Sequence, residues 1–343
     1  MCLYGNLPIQ GGGYSGHCCF WYDWIVIYQV LASPVWSVFM NKIRCSQISI
    51  IALCVWISGQ SVAEQPPNSP GALDAIKIEQ LTGIKGKLDV TESVFKVSQP
   101  RTDLNVTVAG VKITPQMGLT SWAGFQAIGD QVMVMGDIVL QEDQINSIMS
   151  VALDNGLEVT ALHNHFLWDT PKIMFMHIGG MGNLEALAKG VGKIFAQTQE
   201  THSAKKLMPV IKFNAAKTSL DPKPIETIIG APAEKAGEVY KVTLGRTTQM
   251  NGHSASKAMG VNTWAVFAGS NENAIVEGDF AMLESELQDV LKALRGADIN
   301  IVAIHHHMVS ETPKIVFLHY WGAGSVSDLA KAIKTALDTQ TKS

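Results

Sequence analysis

A chain of 343 residues with a net charge of -4 and a hydrophobic fraction of 47% has material for two ordinary globular cores. No basic face and no acidic tail stands out along it, which excludes nucleic acid as a partner.

In chain order, residues 1–39 carry no periodic pattern and precede a methionine that already makes a complete start, so they read as a misassigned upstream start. Residues 40–63, MNKIRCSQISIIALCVWISGQSVA, have the three parts of a secretory signal: Lys42 and Arg44, an apolar run from Ile48 to Ile57, and Ser61-Val62-Ala63 as a small-x-small cleavage site. That run is about half the roughly 20 residues a permanent span needs, so the expectation is cleavage after Ala63 and periplasmic or secreted residence without a permanent membrane span. All five cysteines precede the cut, which leaves a mature chain with neither disulfides nor thiolate metal sites. Residues 64–71 form a polar, proline-broken leader.

From Ala72 the chain states one pattern twice. At an offset of 142, Trp122 matches Trp264, Gly136-Asp137 matches Gly278-Asp279, His163 matches His305, and Thr170-Pro171-Lys172 matches Thr312-Pro313-Lys314. The expected domains are repeat 1 at 72–220, a proline-marked linker at 221–236, and repeat 2 at 237–343.

The second copy shows the elements best. VYKVTL from Val239 alternates as a strand, and NTWAVFAG and NAIVEGDFAML read as two more. ESELQDVLKALRG places Leu287, Val290, Leu291 and Leu294 on one helical face, and INIVAIHHH and PKIVFLHYW return as strands. A helix opened by Ser325 closes the unit. The fold class expected is α+β: a tandem βββαββα unit, mostly antiparallel, helices on one face, the two layers packed about a pseudo-twofold axis.

The chemistry-bearing phrase is ALHNHFLWDTPKIMFMHIGG from Ala161, restated as AIHHHMVSETPKIVFLHYWG from Ala303. Residues two apart on a strand share a face, so His163 and His165 project together, as do His305 and His307. If His163 pairs with His177 and His305 with His319 across each hairpin, three imidazoles converge in each copy; a slip by one residue dissolves the cluster. Three neutral imidazoles with an open position suit zinc or another transition metal, and metal-dependent hydrolysis would follow. Asp169 and Glu311 are the candidate carboxylates for general-base or ligand duty, and Arg101 and Arg246 the candidate anion binders. The alternative reading is a non-enzymatic envelope protein whose sheet binds a glycan, peptide or protein, with the histidines as a hydrogen-bonding or pH-sensitive surface. For Asp137 and Asp279 turn or cap duty is the simpler expectation. Trp122 and Trp264 read as core residues, and His202 and His253 lack a nearby pattern.

GDFAMLESELQDVLKALRGADINIVAIHHHM, TPKIVFLHYWG and MGVNTWAVFAG resemble the LppY/LpqO family of exported bacterial proteins, a duplicated domain of unknown function. The likeness runs from Ala72 to Gln340. It implies export and the tandem arrangement and no particular reaction; Cys54 is a poor lipobox match, so free periplasmic residence is the expectation over a lipid anchor.

Overall fold

A computed structural model describes residues 73–200 and 211–341. The start, signal and leader readings at 1–71, and His202, lie outside the described residues.

The first half runs α1 (Ala75–Thr82), β1 (Gly86–Asp89), β2 (Val94–Pro100), β3 (Thr107–Val108), β4 (Val111–Lys112), β5 (Thr120–Ile128), β6 (Gln131–Gln141), α2 (Ile145–Asp154), β7 (Glu158–His163), β8 (Asp169–Thr170), β9 (Ile173–Gly182) and α3 (Leu184–Glu200). The second runs α4 (Lys223–Ile229), β10 (Glu234–Ala236), β11 (Val239–Gly245), β12 (Thr248–Met250), β13 (His253–Ala255), β14 (Asn262–Gly269), β15 (Ala274–Leu283), α5 (Leu287–Gly296), β16 (Asn300–His305), β17 (Ile315–Gly324) and α6 (Val326–Asp338). The class is mixed α+β and mostly antiparallel.

Three things differ from the sequence reading. Each half opens with a helix and a short edge strand that the alternation did not reveal. Residues 223–236, read as linker, fold as α4 and β10, the counterparts of α1 and β1. Helix α4 is short, and the proline just before it masks it; its end is marked by Gly230 at φ 81°, where the left-handed backbone favours glycine. Finally, the halves are not two stacked layers. They join edge to edge in one twelve-stranded sheet of order β1-β2-β5-β6-β9-β7-β16-β17-β15-β14-β11-β10.

The helices cover one face, where Phe125, Ile138, Met176, Phe280, Leu318 and Tyr320 pack with the apolar stripes of α2, α3, α5 and α6 in a continuous core. Each fully buried Leu, Ile or Phe there contributes roughly 1.5–3 kcal/mol. On the other face lie two small clusters. Leu104, Val106, Ile113 and Leu119 fold over Val139, Ile173 and Phe175, and Ala255 and Val261 fold over Ala281, Ile315 and Phe317. The strip between those clusters carries the histidines.

At the centre β7 and β16 meet antiparallel through Leu162 and Ile304 and then diverge. There the halves exchange side chains: Gln288 of α5 accepts from Val159 N and donates to Val159 O, both at 2.9 Å. Reciprocally, Asn146 of α2 accepts from Ile301 N at 2.7 Å and donates to Ile301 O at 3.3 Å. Two amide side chains thus replace the ladder partners the separating strands cannot supply.

Candidate metal centre

The hairpin register places the imidazoles. Ala161, not His163, lies opposite His177, and His163 faces Phe175; in the second half Ala303 faces His319 and His305 faces Phe317. The expected pairing is thus off by two residues, which preserves the face. A bulge in each half sets that parity: the ladder shifts by one between Val159 and Ala161 and again between Ile301 and Ala303, so Thr160 and Val302 are extra residues. Without that insertion His163 and His305 would point into the helix-covered core, opposite to His177 and His319.

Each cluster gains a carboxylate from the strand on the other side of the hairpin. Asp137 on β6 pairs with His177, and Asp279 on β15 pairs with His319, so both carboxylates share the histidine face. Turn or cap duty was the sequence expectation; both residues instead sit within long strands and are only 7% and 2% exposed. The signal for their role was the constant spacing of this acid from the histidines in both copies.

In the second half the donor atoms converge. His307 Nε2 lies 3.1 Å from Asp279 Oδ2 and 3.2 Å from His305 Nε2, and His305 Nε2 lies 3.9 Å from Asp279 Oδ2. Asp279, His305 and His307 each offer one ligand atom, all within 4.8 Å of one another. The His307 ring stacks on Phe317 with centroids 3.6 Å apart and turns its Nδ1 to Gly260 O at 3.3 Å. His319 Nδ1 lies 3.3 Å from Gly278 O, and its ring stacks on His305 at 4.6 Å. A carbonyl only accepts, so each of these Nδ1 atoms is the one that carries a proton, which leaves Nε2 as the atom that can ligate. Asp279 Oδ1 and His305 Nδ1 are buried without a hydrogen-bond partner.

Burial pushes the Asp279 carboxyl above its usual range, against the opposing pull of His319 and His307. Burial, followed by the His319, His307 and His306 rings, lowers His305 to about 4, so this imidazole is neutral at pH 7.

The first half is built alike and is looser. His163 stands 5.2 Å from His165 and 5.0 Å from His177 between ring centroids, His165 stacks on Phe175 at 3.4 Å, and His165 Nε2 is 3.7 Å from Asp137 Oδ2. Burial also lowers His165, the Asp137 charge opposing it and His163 and His177 assisting.

The other candidate residues are placed elsewhere. Asp169 accepts from Lys172 Nζ at 2.9 Å and Ile173 N at 2.8 Å, and Glu311 accepts from Ile315 N at 3.1 Å. Both carboxylates therefore hold the backbone of their own hairpin loop; those that face the imidazoles are Asp137 and Asp279. Arg101, 1% exposed, turns inward to Asp103, to Val139 O and to Gln144. Arg246 binds Glu286 at 2.5 Å. Both guanidinium groups thus hold partners inside the fold, where an anion would have to displace a carboxylate. Lys96 and Lys241 lie over the rings of Trp122 and Trp264, at 4.0 and 4.6 Å, and those half-buried rings flank the clusters.

Burial alone would raise Glu286, but Arg246, the Thr341 hydroxyl and the N–H groups of Leu283 and Thr341 together hold it at about 2. Its folded pKa lies below the unfolded value near 4.5, so the stability it contributes is present above pH 4.5 and lost as pH falls toward 2. The contribution is on the order of 2–3 kcal/mol. Glu286→Gln should lower urea stability at pH 7 by that amount and flatten the curve between pH 4.5 and 2; an unchanged acid slope would refute the assignment.

A tandem α+β protein with a histidine-and-aspartate cluster on the open sheet face of each half is the class this architecture defines. The chain belongs to the family described as Domain of Unknown Function (DUF1259), whose sequence pattern matches twice, over residues 76–197 and 223–339. No curated protein matches. Among solved structures the chain is similar to a trimeric bacterial microcompartment shell protein, PduB, at 13% identity and a TM-score of 0.16, over 74% of this chain and 89% of that one. Among the described residues no helix is long and apolar enough to cross a membrane.

Proposed function

We propose that the protein is exported and binds a divalent transition-metal ion, zinc fitting the donor set best, at Asp279, His305 and His307 with His319 beside them. The observation that carries this reading is the meeting of His305 Nε2, His307 Nε2 and Asp279 Oδ2, three ligand atoms within 4.8 Å of one another. A cation there would take one lone pair from each of the two imidazoles and from the carboxylate, with their protons released on binding. The carbonyl of Gly260 orients His307 as outer partners of metal-bound histidines do.

Three protein ligands leave a fourth tetrahedral position for solvent or His319, the arrangement that supports metal-dependent hydrolysis. Asp279 would be the carboxylate ligand, the duty that the sequence pattern suggests for Asp169 or Glu311. The pseudo-twofold relation of the halves accords with the identical strand order counted inward from either edge of the sheet. The signal pattern at 40–63 and the LppY/LpqO resemblance support periplasmic residence.

Elemental analysis of untagged protein from the periplasm should find near-stoichiometric transition metal. Asp279→Asn with His307→Ala should lose most of it while the protein keeps its circular-dichroism spectrum. Metal-free wild type that is equally stable would overturn the proposal in favour of a surface for a glycan, peptide or protein partner.

A further inference from the structure

Resting on the metal-binding reading of the second half, we infer that the first half holds a second, weaker site for the same kind of ion at Asp137, His163, His165 and His177, filled only after the first. Cross-strand pairing puts Asp137 beside His177 as it puts Asp279 beside His319, and the bulge at Thr160 turns His163 to their face as the bulge at Val302 turns His305. Asp137 is 93% buried by its 7% exposure, and its Oδ1 has no hydrogen-bond partner, as for Asp279 Oδ1. A desolvated, unpartnered carboxylate oxygen costs free energy in both halves, and a cation among the facing imidazoles offsets it in both.

The affinities differ because the donor atoms are unequally prepared. His307 has its Nδ1 against Gly260 O and its Nε2 3.1 Å from Asp279. His165 has no backbone carbonyl partner among the described residues, and its Nε2 stands 3.7 Å from Asp137. An ion in the first half must therefore fix that ring itself. Loss of one such outer partner lowers metal affinity roughly 10–100-fold, which is the expected ratio between the two sites.

The ions would also act separately. His177 on β9 and His319 on β17 are three strand spacings apart, on the order of 14 Å, whereas two metals that share one oxygen stand about 3.5–4 Å apart. The pair is thus two mononuclear sites on one face.

Zinc(II) titration of the metal-stripped full chain against a competing chelator tests this. Two ions should bind with affinities separated by about 10–100-fold. Asp137→Asn and, independently, His165→Gln should remove only the weaker ion; Asp279→Asn with His307→Ala should remove only the tighter one. A circular-dichroism melt of each variant confirms that it is folded, and the milder His165→Gln keeps the test valid if Asp137→Asn is not. A single ion in the wild type, lost with the second-half variant, would overturn this inference and leave the proposed function standing. No bound ion would overturn both. Loss of both ions from either variant would indicate one shared centre and likewise overturn the inference.

Discussion

Gly278→Ala should destabilise the chain by about 4 kcal/mol, at the upper end for a single substitution, and reduce metal uptake in the second half. A Cβ at Gly278 would collide with Trp264 O and with the Tyr320 hydroxyl and ring. The first contact is with backbone that is itself paired in the β14–β15 ladder. The second is with a buried ring whose hydroxyl donates to Trp264 O at 3.0 Å directly over the glycine. Neither can yield without opening the sheet next to Asp279, and Gly278 O is also the carbonyl against His319 Nδ1. The equivalent Gly136→Ala should cost less, because apart from Trp122 O its neighbours are the Ile178 side-chain tips. Urea denaturation of both variants provides the check: an equal or smaller loss for Gly278→Ala would sink the account.

The second expected result concerns residues that touch no histidine. Asn146→Ala combined with Gln288→Ala should cost about 4 kcal/mol, since each truncation leaves a part-buried backbone N–H and C=O unpaired at roughly 1–3 kcal/mol per group. Those amides bind Val159 and Ile301, the residues immediately before the two bulges, so their loss frees the register that keeps the imidazoles together. Because each amide comes from the opposite half, Gln288→Ala should disturb the first cluster and Asn146→Ala the second. Hydrogen exchange of β7 and β16, read beside zinc affinity, separates this from general destabilisation. If Gln288→Ala loosens β16 and leaves β7 protected, the cross-half account is wrong.

Several features were legible from residue order because they depend on local periodicity. The duplication, the strands at VYKVTL and NTWAVFAG and the helix at ESELQDVLKALRG all appear where alternation and helical spacing put them. Helices α1 and α4 were missed because they are short, of eight and seven residues, and their apolar spacing is too brief to register as a period. Arg246 shows the limit on single residues: its partner Glu286 lies 40 residues further on, so nothing near it in the chain announces that its charge is already matched, whereas Arg101 is met by Asp103 two residues along.

The sequence by itself determined that two copies of a histidine hairpin exist, because a repeated phrase is a property of residue order; β7 and β16 end at His163 and His305, so strand alternation does not place His165 and His307. Only the tertiary structure decided that the histidines share a face. That outcome depends on one extra residue in β7 and one in β16, and the parity of a ladder is set by its partner strand. It also decided that Asp137 and Asp279 complete the clusters and that twelve strands form one sheet, since both follow from pairings between segments distant in the chain.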